Sequence, residues 1–233
     1  MPAVETSNAA ERRLKADLFG EIWHCERGEL VFTERRLASA PWATRWLARW
    51  LARREAAALR RCAAVPGTPP LLEASVDRLR RGWIDGQPMQ LARPTDPHYF
   101  RDALRLVRRL HRAGVAHNDL AKEPNWLVTP AGRPALVDFQ LASISRRRGR
   151  WFRTLAREDL RHLLKHKRTY CPEHLTARQR RLLARRAWPS RLWMLTGKPV
   201  YLLITRRLLG WADREGAGDR YADQSSTGRH RHR

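Results

Sequence analysis

His117-Asn118-Asp119-Leu120-Ala121-Lys122-Glu123-Pro124-Asn125, followed thirteen residues after that asparagine by Asp138-Phe139-Gln140, decides how this chain reads. A site that moves a phosphoryl group needs a carboxylate near the accepting hydroxyl, an amide or carboxylate on the metal, and a second carboxylate reaching the metal from another loop. Asp119, Asn125 and Asp138 supply those three in that order. Upstream, residues 99–113 carry the period of an amphipathic helix with Leu104, Val107 and Leu110 inward, ended by Gly114. Downstream, Trp126-Leu127-Val128, the Pro130-Ala131-Gly132 turn and Ala135-Leu136-Val137 read as a β-hairpin that delivers Asp138.

The His-x-Asp-Leu loop with its Asn125, and Asp-Phe-Gln in place of Asp-Phe-Gly, resemble the protein kinase superfamily in its short, atypical RIO-like and bacterial serine/threonine branch. Trp83-Ile84-Asp85-Gly86 adds weaker support, being similar to the strand and hinge between the lobes. The resemblance covers roughly residues 14–170 and departs at two points: Asn125 lies one residue late, as though Ala121 were inserted, and Gln140 replaces a glycine. It implies an α+β, two-lobed kinase-like fold with a reduced N-lobe sheet and a mostly helical C-lobe. It also implies ATP and Mg²⁺ as cofactors, with Asp119 accepting or orienting the hydroxyl proton and Asn125 and Asp138 holding Mg²⁺. Lys122 is the cation of that loop suited to charge developing on the transferred group, and His117 packs and hydrogen-bonds the loop.

In the N-terminal part, residues 18–23 and 30–32 read as strands around the Arg27-Gly28 turn, with only Gly20 in place of a glycine-rich phosphate lid. Where the resemblance places a strand lysine the chain has Thr33; Arg35 is the chosen phosphate-binding cation. Residues 41–64 read as one long helix whose Glu55 would orient Arg35, or whichever cation took the role. The same helix carries Trp42, Trp46 and Trp50 on one stripe. Core packing is its default reading; with Arg45, Arg49 and Arg53 interleaved, a membrane-interface face is the other.

After Asp138 the chain is too short for a long activation segment, and Glu158-Asp159 reads as a helix start at which Asp159 caps the helix or holds the catalytic loop from behind. His162 and His166 read as part of a basic helix face and not as a metal site. The domain reading is a flexible arm over 1–13, an N-lobe and hinge over 14–86, a C-lobe over 87–212 and a disordered basic tail over 213–233. Within it, residues 188–211 form a C-lobe or surface-lying amphipathic helix.

Composition narrows the class. In 233 residues, 42% apolar content suffices for a core. No apolar run approaches the ~18 to 20 residues of a membrane span, and the polar N-terminus is unlike a signal, so the expected location is the cytosol. Cys25, Cys62 and Cys171 are too few and too scattered for a disulfide framework or a zinc site. The formal charge is +24, from 47 basic and 23 acidic residues. Such a field favours polyanions: an anionic membrane surface, at whose inner face the protein would be peripheral, or nucleic acid. An arginine-rich chain with few lysines also fits a GC-rich genome. The implied partners are ATP and a hydroxyl acceptor, on a protein or on a lipid-linked glycan as in the lipopolysaccharide core kinases that the chain also resembles; Thr33 and the poor glycine turn favour the remaining reading, a pseudokinase acting as a basic binding module.

Overall fold

The computed structural model describes residues 9–184. It divides the chain into two compact units, 1–176 and 177–233. The first begins with strands β1 (Ala9–Asp17), β2 (Gly20–Arg27) and β3 (Leu30–Arg36), then helix α1 (Trp42–Arg61) and strands β4 (Leu71–Ala74) and β5 (Arg78–Gly82). The strands form one antiparallel sheet in the order β1-β2-β3-β5-β4. The sheet expected of the N-lobe thus has five strands, with a two-residue connection from β1 to β2. Residues 9–13, expected in a flexible arm, belong to β1, because their pairing with β2 supplies backbone hydrogen-bond partners and Glu11 bridges to Arg27 and Arg36. The strand expected over 83–86 lies earlier, in β5, and those four residues lack regular structure.

Alternation fixes the two faces of this sheet. Glu34 and Arg36 of β3 share a face with Arg80 of β5, and buried Glu34 accepts from Arg36 at 2.6 Å and Arg80 at 2.5 Å. Thr33 and Arg35 point the other way, and Arg81 stands directly opposite Thr33 on the same face. On that face α1 buries Ala48, Ala52 and Ala56, a stripe at i, i+4 and i+8 small enough for the helix to lie close to Leu37 and Leu79. Trp42, Trp46 and Trp50 fall on the far side, 86%, 68% and 46% exposed. This overturns the core reading of the stripe: the two stripes are two residues out of phase, about 200° around the helix, and the alanine side fits the sheet.

The rest of the unit is mostly helical: β6 (Gln87–Pro88), α2 (Met89–Ala92), α3 (Pro97–Arg112), β7 (Val115–Ala116), β8 (Trp126–Val128), β9 (Pro134–Leu136), β10 (Ser143–Ile144) and α4 (Arg150–Tyr170). Asp96 caps α3 through the His98 amide at 2.7 Å, and its buried face is Tyr99, Phe100, Ala103, Leu106, Val107 and Leu110. Leu106 thus takes the core position expected of Leu104, which is only partly buried. The core joins this face to Leu59 and Cys62 of α1 and to Met89, Trp126, Leu136, Phe139 and Leu163. Gly114 ends α3 as expected, at φ 79°; a Cβ there would stand 2.5 Å from the Ser145 carbonyl oxygen.

Helix α4 starts at Arg150, so Asp159 lies mid-helix and does not cap it. His166, expected on a basic helix face, is buried. In the second unit, the basic helix expected after residue 175 is α5 (Ala177–Ala184), and the unit boundary falls inside the C-lobe expected over 87–212. The aromatic segment at 188–211 and the tail at 213–233 lie outside the described residues. Among the described residues, no helix is long and apolar enough to cross a membrane.

Candidate active site

The loop 117–125 is tied down from below before it presents any chemistry. Buried Asp159 of α4 accepts from two consecutive backbone amides, His117 at 2.8 Å and Asn118 at 2.9 Å, and from His111 Nε2 at 3.0 Å. Two turns of helix suffice to bring His166 to the other end of the loop, where its Nε2–H donates to the Leu120 carbonyl at 2.8 Å. Trp126 Nε1 donates to the same carbonyl at 3.1 Å. These ties hold Asn118 at φ 65°, a left-handed conformation that asparagine tolerates better than most residues. Its Nδ2 then bridges to the Leu141 carbonyl and Ser143 Oγ, both at 2.8 Å, joining the loop to the segment after Asp138.

Three of the expected residues meet above this base. Asn125 Nδ2 donates to Asp119 Oδ2 at 3.1 Å and to the Asp119 carbonyl at 3.0 Å, and Lys122 Nζ lies 2.9 Å from the same carboxylate oxygen. Because Asn125 spends its NH₂ on Asp119, its amide oxygen is the atom with cation-ligating chemistry. The β8-β9 hairpin forms as expected, and the Val137 amide donates to the Asn125 carbonyl at 3.0 Å, so Asp138 emerges beside Asn125. Asp138 also has a left-handed backbone, φ 66°. The next residue explains it: Phe139 turns fully into the core against the His117 ring, 4.6 Å away, while His117 Nε2–H donates to the Val137 carbonyl at 3.1 Å. Burial opposes ionisation of Asp138, but Arg35, Arg81 and Lys122 outweigh it and hold its carboxyl below the usual range.

The sheet face over the loops is cationic. Arg35 is buried there, and Gln140, with its amide oxygen turned toward the guanidinium, accepts from Nη1 at 3.0 Å and Nη2 at 2.6 Å. Gln140 in place of glycine therefore has a packing role. Arg35 Nε is buried with no hydrogen-bond partner among the described residues. Glu55 is fully buried but does not orient Arg35: it accepts from Arg81 Nη1 on β5. Arg36, engaged with Glu34 and Glu11 on the opposite face, does not serve the site. Gly20 makes a tight turn at φ 105°, where a Cβ would stand 2.2 Å from the Arg36 carbonyl oxygen.

Sequence reasoning missed Arg81 as Glu55's partner, because the pairing needs the register of two strands 48 residues apart. It also missed His166 as a tie for the loop; nothing local to α4 marks which face of a basic helix is buried.

No family model and no curated protein matches the sequence. The structure is similar to the crystal structure of the Rio2 kinase from Chaetomium thermophilum, with TM-score 0.55 and 15% sequence identity over 75% of this chain. The match spans 62% of that kinase chain. With the sheet order, the helix beneath it and the two loops described above, this likeness shows that the chain has an α+β, protein-kinase-like fold.

Proposed function

We propose that this protein is an ATP-dependent phosphotransferase that moves the γ-phosphoryl group of Mg-ATP to a hydroxyl. The observation that carries the reading is the convergence of Asp119, Lys122, Asn125 and Asp138 from two tied loops under a sheet face that presents Arg35 and Arg81. The donor set fits the cofactors. An amide oxygen and an ionised carboxylate suit a hard cation, and a buried guanidinium with an unpartnered Nε suits an anionic ligand. Asn125 and Asp138 would hold Mg²⁺, which when bound neutralises charge on the phosphate oxygens.

In the transfer, the acceptor oxygen forms a bond to the γ-phosphorus, the bond from that phosphorus to the β,γ-bridging oxygen breaks, and ADP leaves. Asp119 orients the hydroxyl and takes its proton, held in place by Asn125 Nδ2. Lys122 carries positive charge beside Asp119, where the transferred group gathers negative charge. Positioning and electrostatics supply most of the acceleration in such a reaction.

For the acceptor, the resemblance of the His-x-Asp-Leu loop and its Asn125 to the RIO-like serine/threonine branch supports a serine or threonine of a protein as the first reading. A second, a lipid-linked glycan, is favoured by the exposed Trp42, Trp46 and Trp50 among arginines on α1, which suit a cytosolic protein peripheral to the inner membrane face. The deciding experiment measures thermal stability with Mg-ATP and ³²P transfer to protein, lipid and nucleic-acid fractions of a lysate. Mg-ATP should stabilise wild type, and Asp138→Ala should lose that gain. Equal stabilisation of the variant, or no label above background in any fraction, would overturn the reading.

A further inference from the structure

Thr33 occupies the strand position where the loops below would be served by a lysine, and at first sight the site lacks its phosphate-binding cation. The neighbouring strand alters that picture. Arg81 lies directly opposite Thr33 in the β3 to β5 register, on the face turned to the loops. Its Nε donates to Thr33 Oγ1 at 3.0 Å, and Thr33 Oγ1 donates back to the Arg81 carbonyl at 3.3 Å. The arginine side chain is thereby laid across the short threonine. Beyond Thr33 its Nη1 donates to Glu55, the buried carboxylate of α1.

We propose that Arg81, carried across from β5, is the cation that binds the α- and β-phosphates of ATP, that Thr33 is the small residue that makes room for it, and that Glu55 fixes its orientation. The inference rests on the phosphotransferase reading and deepens its nucleotide site. A side chain starting one strand further out must span an extra strand spacing, about 4.8 Å. Arginine is longer than lysine, and its planar fork can donate to a carboxylate with one edge while presenting N–H groups along another. A lysine at position 81 would satisfy Glu55 or the phosphates with a single point charge.

Charge at the site agrees with this placement. Arg81, like Arg35, acts through space on the Asp138 carboxyl, so its guanidinium and the proposed metal-binding residue share one electrostatic neighbourhood. Arg35 is already taken up by Gln140 through both Nη atoms, which leaves it a supporting charge. Thr33 and Arg81 thus form a complementary pair in which the lysine's charge is relocated and not lost.

The test uses the full-length protein and three titrations by calorimetry, with Mg-ATP, Mg-ADP and adenosine. Arg81→Ala should weaken Mg-ATP and Mg-ADP by about 10-fold or more, the scale of one lost charge-assisted contact, and leave adenosine unchanged. Thr33→Lys combined with Arg81→Ala should recover part of the loss by restoring the charge from β3. Should Arg81→Ala leave Glu55 uncompensated and fail to fold, Arg81→Gln with Glu55→Gln removes both charges and is expected to show the same selective loss. Unchanged Mg-ATP affinity in the Arg81 variants overturns the inference alone, as does an equal loss for adenosine, which would mark a purely structural role. No binding of Mg-ATP to wild type overturns the phosphotransferase reading, and this inference with it.

Discussion

Asp159 Oδ1 accepts a hydrogen bond from the Asn118 backbone amide at 2.9 Å, across 41 residues of sequence, at the point where the loop 117–125 turns left-handed. One buried carboxylate also serves the His117 amide and His111 Nε2. Removing it leaves two buried amides without acceptors and releases the turn that aims Asn118 at Ser143. Asp159→Ala is expected to cost about 3 kcal/mol or more, since hydrogen bonds to a charged group count for more than neutral ones and orphaned donors keep their desolvation penalty. Asp159→Asn, which retains one acceptor oxygen, should cost less. Urea unfolding of the three proteins measures both; an Asp159→Ala midpoint equal to wild type would refute the tie.

The two loops were legible in the sequence because their residues are local: Asp119, Lys122 and Asn125 lie within seven residues, and the hairpin turn that delivers Asp138 is marked by Pro130 and Gly132. What joins those loops to the rest was legible only in part. Asp159 reads either as a helix cap or as a support behind the loop, and its bonds to the His117 and Asn118 amides, from a helix that began two turns earlier, decide for the support. Periodicity located α1 but assigned its core to the larger stripe, whereas the close approach of the sheet selected the alanines. Arg81 carries no local signal at all, since its meaning depends on which residue of β3 it faces.

Asp119 acts on the acceptor proton in the proposed reaction and not on the nucleotide. Asp119→Asn should therefore reduce turnover by roughly 10² to 10⁴ while Mg-ATP affinity stays near wild type. Single-turnover ³²P transfer and calorimetry separate the two quantities. A matching loss of nucleotide affinity would instead make Asp119 a binding residue, and an unchanged rate would point to a non-catalytic, basic kinase-like binding module.

His162 of α4 is pushed down to about 4 by burial, with Lys165 adding to the effect, from an ordinary value of 6.5. A histidine whose folded value is depressed favours the folded state fully above its unfolded value and loses that contribution as pH falls toward the folded one. Burial moves His166 in the same direction. Stability is therefore expected to decline from pH 6.5 to pH 5, a window in which most carboxylates stay ionised, by on the order of 1 to 3 kcal/mol. His162→Gln should flatten that decline in thermal scans; an identical slope in the variant would exclude His162 as its source.

Trp42, Trp46 and Trp50 form a stripe along α1 on the side turned away from the sheet, and Arg54 stacks over Trp50 at 4.6 Å. Indole rings prefer the boundary between headgroups and acyl chains, and arginine stems lie along apolar surface with the charge in water. If this face is the membrane contact, the wild-type protein should bind vesicles containing phosphatidylglycerol and bind neutral phosphatidylcholine vesicles weakly. Salt should lower the anionic binding, because headgroup attraction falls off within a Debye length. Trp42→Ser with Trp46→Ser should lower it at every salt concentration, and, since both rings are largely exposed, should leave thermal stability near wild type. A double-stranded DNA control distinguishes charge from insertion: the same substitutions should barely alter a polyphosphate interaction carried by arginines. Vesicle binding that survives the tryptophan substitutions, or that falls in step with DNA binding, would remove α1 as the membrane face and leave the +24 charge as the whole of the attraction.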